Sequence, residues 1–222
     1  MRIEHIVWDW NGTLLGDSRA LIEATIDAFR ECALPAVTRA DYQRHHVQPI
    51  PLFYERLAGR PLTGAEQDRL AACFQAAYAR HRATVALTTD AIDALTAWAD
   101  AGGRQSLLSM YPHAGLVPLV EAAGLTTFFT RVDGSTGRDL ARKAPHLARH
   151  LREQHIDPAR ALLVGDSLDD VHAARECGLR CIVYHPGADA LHDRAHFAGE
   201  AAPLVPTLLA AVAAVRDQQS GR

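Results

Sequence analysis

The stretch of this chain that decides the fold reads Ile3-Glu4-His5-Ile6-Val7-Trp8-Asp9-Trp10-Asn11-Gly12-Thr13. The apolar pattern over residues 3–8 predicts a β-strand, and an acidic residue, Asp9, follows where that strand stops. Gly12 and Thr13 come next, where the backbone must turn sharply. In an open parallel sheet, ligands bind in the crevice beyond the carboxyl ends of the strands. The pattern therefore indicates that Asp9 lies at such an edge.

A second strand end of the same kind comes late in the chain. The apolar run Ala161-Leu162-Leu163-Val164-Gly165 is followed directly by Asp166-Ser167-Leu168-Asp169-Asp170. A helix cap would explain a single acidic residue after a strand. Two junctions from distant parts of the sequence are hard to explain by packing, and we expect Asp9 and Asp166 to share one crevice.

Further strands are predicted at residues 104–109, 128–132 and 180–184, and continuous apolar runs such as Ala161 to Val164 and Cys181-Ile182-Val183-Tyr184 are typical of strands buried on both faces. Helical patterns lie between them, and a last helix is predicted from Leu204 to Val215. Alternation of strands and helices favours βαβ units. The sequence therefore predicts an α/β fold with a parallel sheet.

Residues 17–87 interrupt that alternation. No strand pattern fits there, and Thr38 with Asp41 and Thr63 with Glu66 each have the spacing of a capping box at a helix start. We therefore predict a core of residues 1–16 and 88–222 and an all-helical cap of residues 17–87. An insertion directly after the Asp9 loop is well placed to act as a lid.

Several side chains of this insertion could contact the part of a substrate that leaves the reaction: Arg44, His45, His46, Tyr54 and Arg82. For each of them taken alone, a surface or packing role is the more common one. The sequence does not decide among them.

Composition excludes some classes of function. The chain has 222 residues and a net charge of −3, and its arginines are dispersed, so we expect no binding to nucleic acid or to a membrane surface. No apolar run approaches the ~18–20 residues needed to span a bilayer. The four cysteines lack zinc-type spacing, and we expect buried thiols in a cytoplasmic protein. Nothing in the sequence indicates the oligomeric state.

The acidic residues at the strand ends indicate a metal. If Asp9, Asp166 and Asp170 lie in one crevice, they cannot all stay ionised without a cation. Such oxygen ligands suit a hard divalent ion, most often Mg²⁺. Lys143, just before Pro145, supplies a positive charge, and lysine with Mg²⁺ commonly neutralises a phosphoryl group. Ser109, after Leu107-Leu108, can donate a hydrogen bond to the same group.

With these residues in view, the chain resembles the haloacid dehalogenase superfamily, in its branch of cap-bearing phosphatases similar to phosphoglycolate phosphatase. The first motif of that family, D-x-D-G-T, corresponds to Asp9-Trp10-Asn11-Gly12-Thr13, and the second falls on Ser109. The third, a lysine near K-P-x-P, corresponds to Lys143-Ala144-Pro145, and the fourth, G-D-S-x-x-D, to residues 165–170. The motifs occur in the family's order, with the helical insertion between the first two.

The resemblance implies a Rossmann-like parallel sheet in the order 5-4-1-2-3 and a role for each motif residue. Asp9 would be the nucleophile that forms an aspartyl-phosphate on a small phosphorylated metabolite. Ser109 and Lys143 would hold the phosphoryl group, together with Gly12 and Thr13 of the turn. The Mg²⁺ ligands implied by the family fall on Asp9, the backbone carbonyl of Asn11, Asp166 and Asp170.

Residue 11 departs from the family pattern. The family has a second Asp there, which protonates the leaving oxygen and then activates water, whereas an amide such as Asn11 can do neither. Loss of general acid–base help typically costs ~10²–10⁴-fold in rate. Four alternatives therefore stay open: a phosphatase for good leaving groups or with an acid from elsewhere, a weak or inactive phospho-ligand binder, a metal-independent dehalogenase, and a phosphomutase. The complete fourth motif argues against the dehalogenase, and the missing acid argues against the mutase.

Overall fold

The computed structural model describes residues 2–136 and 142–220, with side chains described to residue 217. Within these residues the chain forms one six-stranded parallel sheet in the order β3-β2-β1-β4-β5-β6. The strands are β1 (His5–Trp8), β2 (Arg104–Pro112), β3 (Val132–Ser135), β4 (Ala161–Gly165), β5 (Arg180–Tyr184) and β6 (Leu204–Val205). The predicted order 5-4-1-2-3 is confirmed, with β6 added outside β5.

Helices cover both faces of the sheet and form the insertion. They are α1 (Ser18–Glu31), α2 (Arg39–His45), α3 (Ile50–Ala58), α4 (Gly64–Arg82), α5 (Ala91–Asp100), α6 (His113–Ala122), α7 (Ala144–Glu153), α8 (Leu168–Cys177) and α9 (Leu208–Ser220). Alternate residues of the strands face opposite sides: Trp8 packs with α5, α6 and α9, and Val7 packs with α7 and α8. Among the described residues, none of the helices combines the length and apolar character that a membrane span requires.

Two predicted elements are wrong in position. Residues 128–132 were expected to be a strand, but Thr126–Phe128 is a 3-10 turn from which Phe128 and Phe129 pack against the core, so their apolar character serves packing. The strand begins at Val132 instead, and within it Asp133 accepts hydrogen bonds from the side chains of Arg131 and His150.

The last predicted helix also begins later than expected. Leu204 and Val205 pair with Val183 and Tyr184 of β5 as a short edge strand. Pro206 follows, and a residue before proline is pushed towards extended backbone. The helix therefore begins at Leu208 rather than at Leu204.

The stretch between β1 and α5 is helical, as predicted. Both predicted capping boxes are present: Thr38 and Thr63 each accept from the backbone of the third helical residue, and Asp41 and Glu66 bond back to them. The helices enclose an apolar cluster, joined by Leu191 from the segment after β5, whose largest fully buried members are Ile22, Phe29, Phe53 and Leu70.

The chain enters and leaves this insertion through two neighbouring segments that are hydrogen-bonded to each other. The amide of Gly16 donates to the carbonyl of Ala86 (3.0 Å), and the amide of Thr88 donates to the carbonyl of Leu14 (2.9 Å). The hydroxyl of Thr88 also donates to the carbonyl of Thr13 (2.5 Å). The two crossings therefore form one paired connection between the sheet and the helices.

Helix α2 rests on the segment that follows β5. Gln43 Nε2 donates to the carbonyl of Ala190 (2.7 Å), and the amide of Asp193 donates to the carbonyl of Gln43 (3.2 Å). A hydrogen bond also joins His46 Nδ1 to His192 Nε2 (3.2 Å), and both rings are buried. These contacts hold the insertion over the carboxyl edge of the sheet.

Candidate active site

Strand register brings the predicted site residues to one edge. Trp8 lies opposite Leu107 of β2 and Val164 of β4 in the parallel ladders. One step further, Asp9 is level with the residues that precede Ser109 and Asp166. The central position of β1 thus places Asp9 between Ser109 and Asp166, as expected for parallel strands whose carboxyl ends share an edge.

Three carboxylates converge at this edge. One oxygen from each of Asp9, Asp166 and Asp170 lies within 4.8 Å of the others, and all three residues are buried. Asp170 enters from the first turn of α8, where it accepts from the backbone amide (3.1 Å) and the hydroxyl (2.6 Å) of Ser167. Gly165 leaves room for it, since a Cβ there would lie 2.3 Å from Asp170 Cγ.

Lys143 joins two of these carboxylates. Its Nζ donates to Asp9 Oδ1 (2.6 Å) and to Asp170 Oδ1, and its side chain is 3% exposed. It is placed by the start of α7, where its backbone amide donates to Asp169 Oδ2 (3.0 Å). Burial acts to lower the pKa of the ammonium, but Asp170 and Asp9 together raise it above its ordinary value, which favours the charged form of Lys143.

One lysine does not balance three carboxylates. Burial, together with the charge of Asp170, raises the pKa of Asp9 to about 7 although Lys143 acts to lower it. Burial and the charges of Asp9 and Asp170 raise the pKa of Asp166 well above its ordinary value. Asp166 Oδ2 is buried and has no hydrogen-bond partner among the described residues. A divalent cation would relieve the repulsion and bind that oxygen, so the donor set fits such an ion.

Gly12 makes room for the same carboxylate. Its φ is +71°, a conformation that favours glycine, and a Cβ there would lie 2.1 Å from Asp166 Oδ2. The next residue, Thr13, is fully buried, and its carbonyl is used by Thr88. Its hydroxyl has no hydrogen-bond partner among the described residues. The turn therefore lies against Asp166.

Asn11 is held by a residue that the sequence did not identify as part of the site. Asn11 Nδ2 donates to Asp17 Oδ2 (2.6 Å), and it lies 3.4 Å from the hydroxyl oxygen of Tyr78. Tyr78 donates to the same oxygen of Asp17 (2.5 Å), and the amide of Gly12 donates to Asp17 Oδ1 (2.7 Å). Asp17 is fully buried, and burial raises its pKa.

This network fixes the orientation of the Asn11 amide. A carboxylate oxygen accepts hydrogen bonds, so the group that faces Asp17 must be the NH₂. The amide oxygen then points to the other side, where Asn11 Oδ1 lies 3.5 Å from Ser109 Oγ. Ser109 Oγ also accepts from the backbone amide of Tyr111 (3.0 Å). Asn11 thus presents an acceptor, and no proton, on the Ser109 side.

The candidates in the insertion lie in different surroundings. His46 and Tyr54 are buried and both pack against Phe53 in the aromatic cluster, which gives them a packing role. Arg44 is exposed, and His45 is half-buried. Arg82, the last residue of α4, donates from Nη1 to the hydroxyl of Tyr111 (2.6 Å) and so lies next to the strand that carries Ser109.

Comparison with known proteins adds to this picture. A family model described as haloacid dehalogenase-like hydrolase matches residues 3–178. The chain is 28% identical to the phosphoglycolate phosphatase of Mesorhizobium japonicum over 194 aligned residues. The alignment covers 85% of this chain and 86% of that protein.

Solved structures share the fold at low identity. A haloacid dehalogenase-like family protein from Streptococcus pneumoniae superposes with a TM-score of 0.80 at 18% identity, over 96% of this chain and 98% of that one. CbbY from Rhodobacter sphaeroides, in complex with xylulose-(1,5)bisphosphate, has a TM-score of 0.66 at 23% identity, over 93% and 95% of the two chains.

Proposed function

The chain belongs to the haloacid dehalogenase-like hydrolases, and we propose that it is a Mg²⁺-dependent phosphohydrolase acting on a small phosphorylated metabolite through an aspartyl-phosphate. Its membership of a family of hydrolases confirms the prediction of an enzyme of this type. One observation carries the proposal: the buried pair of Asp9 and Lys143, with the carboxylates of Asp166 and Asp170 beside it. A nucleophile, a cation and a set of metal ligands are what phosphoryl transfer to a carboxylate requires.

The metal ligands would be Asp9, Asp166, Asp170 and the backbone carbonyl of Asn11. Support comes from Asp166 Oδ2, which is buried and has no partner among the described residues, and from the raised pKa values of Asp9 and Asp166. When bound, Mg²⁺ would neutralise negative charge on the phosphoryl oxygens and the carboxylates.

The residues themselves would act in two steps. An Asp9 oxygen attacks phosphorus, so that a bond from Asp9 to phosphorus forms while the bond from phosphorus to the leaving oxygen breaks. Lys143 holds the Asp9 carboxylate and, with Ser109 and the turn at Gly12 and Thr13, the phosphoryl oxygens. Water then attacks phosphorus, which restores the Asp9 carboxylate and releases inorganic phosphate. Because Asn11 has no proton to give, the leaving oxygen takes its proton from water.

This chemistry favours substrates whose leaving group needs little protonation. A second candidate function, a phospho-ligand binder with little or no turnover, is favoured by the same observation on Asn11: its NH₂ is engaged by Asp17 and Tyr78. A dehalogenase is disfavoured, because the family's dehalogenases use no metal and a cluster of three carboxylates calls for one. A mutase is disfavoured because it needs the acid that residue 11 lacks.

The relatives suggest which substrates to try first. Phosphoglycolate is named in the relative from Mesorhizobium japonicum, and CbbY was solved with xylulose-(1,5)bisphosphate. Both compounds carry a phosphate and a second anionic group. We propose a small phosphorylated metabolite as the substrate and phosphoglycolate as the first to try, with the slow turnover expected of a leaving group that Asn11 cannot protonate.

The helices of residues 17–87 would form the cap, and residues 1–16 and 88–222 the core. The contacts of Gln43 and His46 with the segment after β5 support a cap that covers the site. Release of the product would then require those contacts to open.

The test is phosphate release from phosphoglycolate, acetyl phosphate and p-nitrophenyl phosphate, with Mg²⁺ and with EDTA. We expect Mg²⁺-dependent release that Asp9→Asn abolishes, and an acid-stable, hydroxylamine-labile phosphoprotein in quenched samples. Binding of these compounds without release above the Asp9→Asn background would support the binder instead. Halide release from a halo-acid without metal would support the dehalogenase.

A further inference from the structure

Arg82 is held by two tyrosines at the end of α4. Its guanidinium carbon lies 6.0 Å from the centre of the Tyr78 ring and 5.9 Å from the centre of the Tyr111 ring. Its Nη1 also donates to the hydroxyl of Tyr111 (2.6 Å). Guanidinium groups are attracted to aromatic faces, so both rings orient this one.

The Arg82 guanidinium has no carboxylate partner among the described residues, whereas the neighbouring basic residues Arg80 and His81 each have one. Arg80 forms ion pairs with Glu31 (2.9 Å) and Asp27 (3.8 Å), and His81 contacts Asp27 (2.8 Å). Arg82 is half-buried and turns towards β2 instead. Stabilisation of the helix terminus would explain an exposed arginine in the last turn, but not one directed inward and left without a counter-charge.

Both tyrosines contact residues of the reaction site. Tyr78 reaches Asn11 and Asp17 with its hydroxyl, and the backbone amide of Tyr111 donates to Ser109 Oγ. The Tyr111 ring is itself fixed by close packing, since a Cβ at Gly115 would lie 2.8 Å from Tyr111 Cε1. The guanidinium is therefore separated from the Asn11 and Ser109 side chains by one layer of residues.

We propose that Arg82, clasped by Tyr78 and Tyr111, is the binding site for a second anionic group of the substrate, a carboxylate or a second phosphate. This inference rests on the proposed function, because it adds a second contact to the phosphate site around Asp9. The enzyme would then select small phosphomonoesters that carry another negative charge and would discriminate against neutral ones of the same length. An arginine suits this role because its planar guanidinium can donate two parallel hydrogen bonds to one carboxylate or phosphate.

The experiment compares matched substrates on matched variants. Phosphoglycolate has a carboxylate where 2-hydroxyethyl phosphate has a neutral group, and ethylene glycol bisphosphate has a second phosphate. We expect Arg82→Met to lower kcat/KM for phosphoglycolate or the bisphosphate by ~10- to 100-fold, the value of a charged hydrogen bond. Turnover of 2-hydroxyethyl phosphate and p-nitrophenyl phosphate should stay within about 2-fold, because they lack the second anion.

Two further variants serve as controls. Arg80→Met removes an arginine two residues away that is paired with Glu31 and Asp27, and this variant should change none of these rates. Arg82→Lys keeps the charge without the planar guanidinium, so it should lose less than Arg82→Met. If Arg82→Met does not fold by circular dichroism, the ratio of phosphoglycolate to 2-hydroxyethyl phosphate rates in Arg82→Lys decides, and an unchanged ratio overturns the inference.

The outcomes separate this inference from the proposed function. An equal loss on charged and neutral substrates would overturn the Arg82 site while hydrolysis itself stood. If no substrate is hydrolysed, calorimetric binding of phosphoglycolate, ethylene glycol bisphosphate and inorganic phosphate to wild type and Arg82→Met still decides: a loss confined to phosphoglycolate or to the bisphosphate supports the site, and an equal change for all three ligands overturns it. The ligand that loses more identifies the second anion as carboxylate or phosphate.

Discussion

Asn11 Nδ2 lies 2.6 Å from Asp17 Oδ2, so the amide that stands where the family has an acid contacts a buried carboxylate. This pairing determines what a restored acid would do. An aspartate at position 11 would face the Asp17 carboxylate where the amide now donates, and two carboxylates in contact repel each other. A reversed pair would keep one hydrogen bond and one charge.

We therefore expect Asn11→Asp alone to be less active than the double variant Asn11→Asp/Asp17→Asn. The double variant should exceed wild type on a poor leaving group such as phosphoglycolate by ~10²-fold or more, the usual value of an acid–base group. On acetyl phosphate, which needs little protonation, the gain should be small. Equal rates for the single and double variants would contradict the role given to the Asn11–Asp17 contact.

Gly12→Ala tests the contact between the turn and Asp166. The added Cβ would meet Asp166 Oδ2 at 2.1 Å, and the φ of +71° is strained for alanine. We expect at least ~10-fold weaker Mg²⁺ binding, since displacement of a ligand costs more than a single hydrogen bond. Mg²⁺ titration monitored by calorimetry measures it. Gly59→Ala, with a similar φ but open space around it, separates backbone strain from the clash.

Asp166→Asn tests the repulsion among the carboxylates. The change removes one ionisable group from the three buried carboxyl groups and leaves Lys143 to balance Asp9 and Asp170. We expect the metal-free variant to melt at a higher temperature than metal-free wild type, because the burial and repulsion that raise the pKa of Asp166 destabilise its ionised form. Mg²⁺ should raise the melting temperature of wild type and not of the variant. A lower melting temperature without metal would contradict this account.

Acid should weaken the contact between α2 and the segment after β5. Burial and the charge of His196 lower the pKa of His46 to about 3, and burial lowers that of His192 well below its ordinary value. Above pH 6.5, where both the folded and the unfolded state are neutral at these rings, they add no pH dependence. As pH falls below 6.5 only the unfolded state takes up protons, so stability is lost.

From pH 7 to pH 5 the loss is about 2 kcal/mol for His46, at 1.36 kcal/mol per pH unit below its unfolded-state pKa of 6.5, and His192 adds a loss of the same sign. Urea unfolding at both values measures it. His46→Phe should reduce the loss by about that amount, whatever its effect at pH 7. The control variant His155→Asn, at an exposed position, should lose as much unfolding free energy between pH 7 and pH 5 as wild type does. If His46→Phe also loses as much as wild type, the account of the His46 ring is contradicted.

The sequence predicted those parts of the molecule that depend on local pattern. The ends of β1 and β4 are marked by acidic residues after apolar runs, and the starts of α2 and α4 by capping residues. Asp17 could not be identified, because its role depends on Tyr78, which lies 61 residues further along the chain. The position of β3 was missed because Phe128 and Phe129 are apolar for packing, whereas the strand itself contains Asp133 and Gly134.

Arg82 shows the same limit. A basic residue at the end of a helix is typical of stabilisation by the helix dipole, and three of them occur in succession at the end of α4. Only the fold distinguishes Arg82, because Arg80 and His81 both reach Asp27 whereas Arg82 turns inward.

The paired crossings at residues 14–16 and 86–88 make the helical part interchangeable. The segments that lead into and out of the helical insertion are hydrogen-bonded to each other, so the insertion is joined to the sheet like a long loop whose two ends are adjacent. The entropy of closing such a loop grows only slowly with its length. We therefore expect lobes of other sizes, or a short turn in place of the whole, to be tolerated at this point while the strands keep their order.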